Sequence, residues 1–184
     1  MTVTRALMSC AVAVMTFGCA TPTPANTPPG AKPPRPTVPA EIEAPATATV
    51  VSRLYATGTQ NYKCQAGTSG AAEWKLVAPE AQLKDESGGP AGTHGAGPTW
   101  TLTDGSGAKG DGANAKKAPS PEAGSVAWLL IPATSNGQPG GLQGVTLVQR
   151  VDTHGGAAPA TGCDVGTVGA ETKVLYTATY VFYR

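Results

Sequence analysis

Val50–Cys64 reads VVSRLYATGTQNYKC, and the alternation inside it decides the fold. Leu54, Ala56, Tyr62 and Cys64 fall on one parity, while Arg53, Thr57, Asn61 and Lys63 fall on the other. A period of two marks a strand with one face buried and one face wet. The same period recurs downstream. Glu73–Leu76 alternates, and Ala81 and Leu83 alternate with Gln82 and Lys84. Trp100 and Leu102 alternate with Thr99, Thr101 and Thr103, ahead of the turn signal Asp104-Gly105-Ser106-Gly107. Val126–Ile131 (VAWLLI) is apolar on both parities, as expected of a strand covered on both sides. Val145–Val151 and Val174–Tyr183 complete about seven strands, the last rich in aromatics at Tyr176, Tyr180, Phe182 and Tyr183. No segment carries a 3.6-residue apolar stripe. With 24 Gly and 17 Pro in 184 residues, strands and turns suit the chain better than helices do. The expected fold is all-β over residues 47–184: an antiparallel β-sandwich or a jelly-roll-like barrel of about seven or more strands. Gly105–Gly124, without periodicity and rich in Gly, Lys and Pro, reads as a long surface loop.

The N-terminus has a different character. Arg5 is the only charge before an apolar run, Ala6–Met15, too short to span a bilayer as a helix. Residues 1–19 read as a secretory signal peptide. Its end fits two processing routes. Gly18-Cys19 resembles a bacterial lipobox, with Cys19 the lipidation site, although Thr16 and Phe17 are unusual there. Cleavage after Ala20 also satisfies a small-x-small rule. Residues 20–46 follow as a Pro-rich linker, with nine prolines in Pro22–Pro45. It is expected to be disordered, extended and without a core. The expected location is therefore extracytoplasmic: the bacterial cell envelope through a lipid anchor, or, alternatively, secretion.

Of four cysteines, Cys10 lies in the signal peptide and Cys19 is either lipidated or removed. Cys64 and Cys163 remain. A disulfide between them suits an exported chain better than a pair of free or metal-binding thiolates. Charge is nearly balanced, with 13 Lys and Arg against 12 Asp and Glu. That gives no basic patch for nucleic acid.

Candidate chemistry centres on two histidines. His94 sits in Gly92–Trp100 (GTHGAGPTW), and His154 in a second glycine-flanked stretch. A metal site would need both, with a carboxylate such as Asp104, Asp152 or Asp164. The spacing itself carries no ligand signature, and no cofactor is implied. No Gly-x-Ser-x-Gly elbow appears. Gly110–Ala115 (GDGANA) lacks the flanking strand and helix that dinucleotide binding needs. A binding surface built from Trp74, Trp100 or Trp128, if one lies exposed beside His94 or Arg150, is the other arrangement, although all three fall on the apolar parity of strands and read first as core. GTHGAGPTW itself reads as a tight corner between strands, with His94 the residue its glycines and proline do not explain.

Longer words in the chain resemble the bacterial and fungal domain-of-unknown-function 3455 family. They are Gly58–Gln65 (GTQNYKCQ), Trp74, Pro79–Asp85 (PEAQLKD), GTHGAGPTW, Asp104-Gly105-Ser106, Trp128-Leu129-Leu130, Val145–Gly156 (VTLVQRVDTHGG), Gly162-Cys163-Asp164 and Tyr176–Tyr183. The resemblance implies a secreted, disulfide-containing β domain and no activity. The expected role is binding or structural, at the membrane through a lipid anchor, with an envelope glycan or protein as partner. The alternative is a small secreted hydrolase or metal-dependent enzyme using His94 and His154. The candidate site residues are His94, His154, Trp100, Asp104, Arg150 and Asp164.

Overall fold

Strand pairing follows the alternation of β-branched, aromatic and polar residues along the chain. The computed structural model describes residues 33–68 and 70–184. The expected signal peptide, Cys19 and the first part of the linker lie outside the described residues. Nine strands are present: β1 Val50–Ala66, β2 Ala72–Lys84, β3 Pro90–Gly95, β4 Thr99–Leu102, β5 Gly107–Gly110, β6 Lys116–Ala118, β7 Trp128–Ser135, β8 Leu147–Gly155 and β9 Glu171–Tyr183. Every pairing among them is antiparallel. The strand order is β5-β4-β3-β2-β1-β9-β8-β7-β6, and β5 also pairs with β7. That last pairing joins the two ends of the sheet and makes an eight-membered ring, with β6 lying beyond it. The expected all-β antiparallel class is present. Its connectivity is a meander closed on itself, in which β9 returns beside β1.

Two expectations change. Gly105–Gly124 is not simply a surface loop, because it supplies β5 and β6. Both run along one edge of β7, Gly110 opposite Ala133 and Lys116 opposite Leu130, with a 3-10 turn at Gly112–Asn114 between them. The alternation does not show because the two strands are only four and three residues long and the inward position Gly110 has no room for a side chain. A Cβ on Gly110 would lie 2.9 Å from Ile131 and 3.2 Å from the Trp100 ring. Packing against the sheet also begins upstream of residue 47. Within the stretch expected to be disordered, Ala40–Ile42 forms a 3-10 turn. Ile42 is fully buried and packs with Ala44, Val50, Ala118, Leu130, Val181 and Tyr183 on the outer face of the sheet. The Gln149 amide donates to the Ile42 carbonyl at 2.6 Å, and the Tyr183 hydroxyl donates to Gln149 at 2.7 Å. A proline-rich average concealed one large apolar residue and the groove that takes it.

This strap explains why β7 is apolar on both parities. Leu129 and Ile131 face the barrel interior, and Trp128 and Leu130 face the strap. On β1, β2 and β9 the outward parity is mixed: Thr57, Thr59 and Lys63 lie across from Gln82, Glu80 and Lys75, Lys173 pairs with Glu80 at 2.7 Å, and Tyr55 and Leu175 stand exposed among them. Among the described residues no helix is long and apolar enough to cross a membrane.

The interior is filled by Leu54, Ala56, Leu83, Trp100, Ile131, Val148, Tyr180 and Phe182, with Leu142 and Val145 closing one end. β1 must bend to wrap this core, and Gly58 allows it. A Cβ there would fall 2.0 Å from the Glu80 carbonyl oxygen, so no other residue fits. Beyond Gly58 the β1–β2 hairpin extends past the ring. Cys64, buried on β1, is bonded to Cys163 in the connection before β9, with Cα atoms 5.4 Å apart. The bridge spans a sequence separation of 99 residues.

Replacing both cysteines by Ser is expected to cost about 2–5 kcal/mol of stability, read from the urea midpoint. Ile42→Ala, which empties a fully buried site on the strap, is expected to cost about 2–5 kcal/mol. An unchanged midpoint for Ile42→Ala would mean that residues 38–48 add nothing to the fold.

Candidate functional site

The end of the barrel opposite Leu142 is not filled. A cavity of about 320 Å³ opens there, walled by the β2 bulge at Leu76–Pro79, the β3–β4 corner and the start of β7. Its deeper wall carries Gln60, His94, Trp100, Leu129, Ile131, Arg150 and Tyr180. Two bulges flank it. The β1–β2 register shifts at Asn61/Tyr62, and the β8–β9 register shifts between Val151 and His154. The second includes Asp152, at φ 48° the one non-glycine residue of positive φ among those described. A larger, shallow groove of about 410 Å³ on the outer face of β5 and β7 has no such convergence.

GTHGAGPTW is the hairpin corner expected of it, and it also positions chemistry. His94, next to last in β3, lies opposite Trp100 on β4, and the three-residue turn between the strands uses Gly97 at φ 101°. The His94 ring stacks on Trp100, with centroids 4.7 Å apart and planes within 8°. It lies 4.9 Å from the Tyr180 ring. Its Nδ1 sits 2.8 Å from the Thr99 carbonyl oxygen, which can only accept, so Nδ1 carries the proton. The lone pair of Nε2 is then the free one. At 3% exposure, burial lowers the His94 pKa to about 4, and the nearby Arg150 charge acts in the same direction. The ring is therefore neutral at physiological pH.

Arg150 enters from β8, opposite Leu129 and Tyr180. Its Nε and Nη2 donate to the Ala127 carbonyl at 3.1 and 2.8 Å. It forms no ion pair among the described residues. Around it, the Gln60 amide, Trp100 Nε1 and the hydroxyls of Tyr176 and Tyr180 have no partner at strict hydrogen-bond geometry, although Tyr180 lies within polar reach of Arg150 and Tyr176, and Tyr176 within reach of Gln60. Buried polar groups are nearly always well hydrogen-bonded, so this loosely bonded cluster beside Arg150 is unusual. Burial raises the pKa of both tyrosines. Each hydroxyl therefore stays protonated and able to donate. Tyr62, also raised by burial, is satisfied by donating to the Gly156 carbonyl at 2.6 Å.

Three of the six candidate residues, His94, Trp100 and Arg150, thus meet at one cavity. The other three do not. His154 is on the outside, its side chain 63% exposed and bonded to Glu122. The two histidines do not converge, and no group of three or more His, Cys, Asp or Glu among the described residues is arranged to hold a metal. The bulge at Asp152 is the reason, since it turns Thr153 inward and His154 outward. Asp104 is exposed and accepts from Ser106 N at 2.8 Å and from Gly141 N at 2.8 Å, a turn-fixing role. The Ser106 hydroxyl at 2.6 Å is the main reason its pKa lies below the usual carboxylate value. Asp164 caps the 3-10 turn Val165–Thr167. Of the other tryptophans, Trp74 donates to Thr161 O at 3.0 Å outside the ring, and Trp128 packs against the strap. The missed residues are Gln60, Tyr176 and Tyr180. Gln60 carried a signal, as the one polar side chain on the buried parity of β1 between Leu54 and Cys64.

The family model described as Protein of unknown function (DUF3455) matches residues 45–91 and 84–184. No curated protein and no solved structure matches the chain.

His94 gives stability a particular pH dependence. The unfolded ring takes up a proton below about pH 6.5, whereas the folded one resists it down to about 4. Stability is expected to fall as pH drops through that window, by about 3 kcal/mol in all, and His94→Gln should remove this component. The lowered carboxyl groups of Asp85, Asp104 and Asp111 act at lower pH. Urea midpoints at pH 7.5 and 4.5 for both proteins measure the difference. Equal slopes would mean the folded ring titrates normally.

Proposed function

The chain belongs to that family, and from this premise we propose that it is a binding protein of the cell envelope, holding one small molecule in its barrel. The observation that carries the reading is the cavity of about 320 Å³ on whose wall Arg150, without a carboxylate partner, and the loosely bonded polar groups of Gln60, Trp100 and Tyr180 stand among apolar side chains. Eight-stranded barrels enclose just enough space for one small ligand, and binding sites are mostly apolar hollows with a few placed polar groups. Leu129, Ile131 and Trp100 supply the apolar part here. Hydrolysis fits less well. A nucleophile, a base and an orienting carboxylate must sit in contact, and the described lining offers His94 without a serine, cysteine or carboxylate beside it.

Location belongs to the same proposal. The signal-like residues 1–19 and the Cys64–Cys163 bridge both suit an oxidising, extracytoplasmic compartment. Either a lipid on Cys19 or ordinary secretion is compatible with that. The strap on the outer face leaves the mouth of the barrel open to ligand.

The neutral apolar dye N-phenyl-1-naphthylamine is expected to bind the full chain at one site, with enhanced fluorescence. Leu129→Trp, which fills the cavity, is expected to abolish uptake while the protein still melts cooperatively. Undiminished uptake by that variant, or none by the native chain, would place binding elsewhere or nowhere.

A further inference from the structure

A cation at a partly enclosed site normally brings its counter-charge with it, because an unpaired buried charge is costly. Arg150 has not done so. Of the five N–H bonds of a guanidinium, one on Nε and one on Nη2 are used by the Ala127 carbonyl. No carboxylate meets the rest among the described residues, and the Tyr180 hydroxyl lies within their reach. The second charged group on the cavity wall, Lys117, is also a cation, and no Asp or Glu lines it. The neutral state of His94 adds no charge of its own. The cavity is thus electrostatically one-sided, although the whole chain carries a net charge of only +1.

The remaining groups narrow the partner further. Trp100 Nε1 can only donate, the Tyr180 hydroxyl stays protonated and can donate, the Gln60 amide offers a donor and an acceptor, and His94 Nε2 offers one lone pair. Donors therefore outnumber acceptors at the Arg150 end. Only one guanidinium reaches the interior, whereas recognition of a phosphate dianion usually recruits several cations or a nest of backbone N–H groups. A planar carboxylate matches a single guanidinium fork. The opposite wall, Leu129, Ile131 and the Trp100 ring, calls for an apolar body.

We infer, resting on the binding reading above, that the ligand is a small organic monocarboxylic acid. Its carboxylate meets Arg150 with help from Tyr180 and Gln60, and its hydrocarbon or aromatic body lies against Trp100, Leu129 and Ile131.

The test uses the full chain loaded with N-phenyl-1-naphthylamine and measures displacement of the dye. The probes are 3-phenylpropanoate, its uncharged isostere 3-phenylpropanamide, and inorganic phosphate at matched ionic strength. The acid is expected to displace the dye at a concentration at least tenfold below that of the amide, with phosphate weaker than the acid. Arg150→Gln should bring acid and amide to parity, and Arg150→Lys should keep part of the preference. Equal displacement by acid and amide in the native chain overturns the inference while leaving a neutral-ligand barrel standing. So does phosphate outcompeting the acid, or a preference unchanged in Arg150→Gln. The native comparison decides the matter even where the Arg150 variants do not fold. Failure of the dye to bind at all counts instead against the binding reading itself.

Discussion

The whole arrangement depends on β5 meeting β7. Without that pairing, the strands form an open meander with two unpaired edges and an exposed apolar face. With it, the same strands enclose a core and a cavity. The contact is made by very short strands, three residue pairs from Ala108–Ser135 to Gly110–Ala133. Its inner surface admits only small residues, Ala108 and Gly110, and a Cβ on Gly110 would meet Ile131, Pro98 and the Trp100 ring. Side chains that line the cavity thus dictate glycine at the seam.

That constraint also accounts for what could be read from the chain and what could not. The long strands β1, β2 and β9 announce themselves by alternation, because each repeats its inward and outward choice over a dozen or more residues. The short strands β5 and β6 do not. Four and three residues are too few to show a period, and the inward position Gly110 has no room for a side chain. The strap was hidden for a different reason. Val38, Ile42 and Ala44 are too few to stand out against nine prolines, yet they need only fill a groove that already exists.

The site divides along the same line. His94 and Trp100 were conspicuous because an unusual corner carries them, and Arg150 because it is the one Lys or Arg of β8. Gln60, Tyr176 and Tyr180 sit in strands whose composition is fully explained by packing, so nothing local distinguishes a core tyrosine from a cavity tyrosine. Only closure of the ring brings strands distant in sequence to one wall. His154 shows the converse. Its resemblance to His94 in local sequence is cancelled by one extra residue in β8, which reverses the parity beyond Val151.

The loop between β8 and β9 is held without help from a ligand. Gly156 at its start packs against Gln60 and Tyr176 with no room for a Cβ, and the Tyr62 hydroxyl, Trp74 and the Cys64–Cys163 bridge each hold it down. The loop starts against Gln60 but supplies no residue to the cavity wall. Its ordering is met by covalent and hydrogen-bonded ties of its own, so a ligand of the kind proposed above would not have to freeze it on capture.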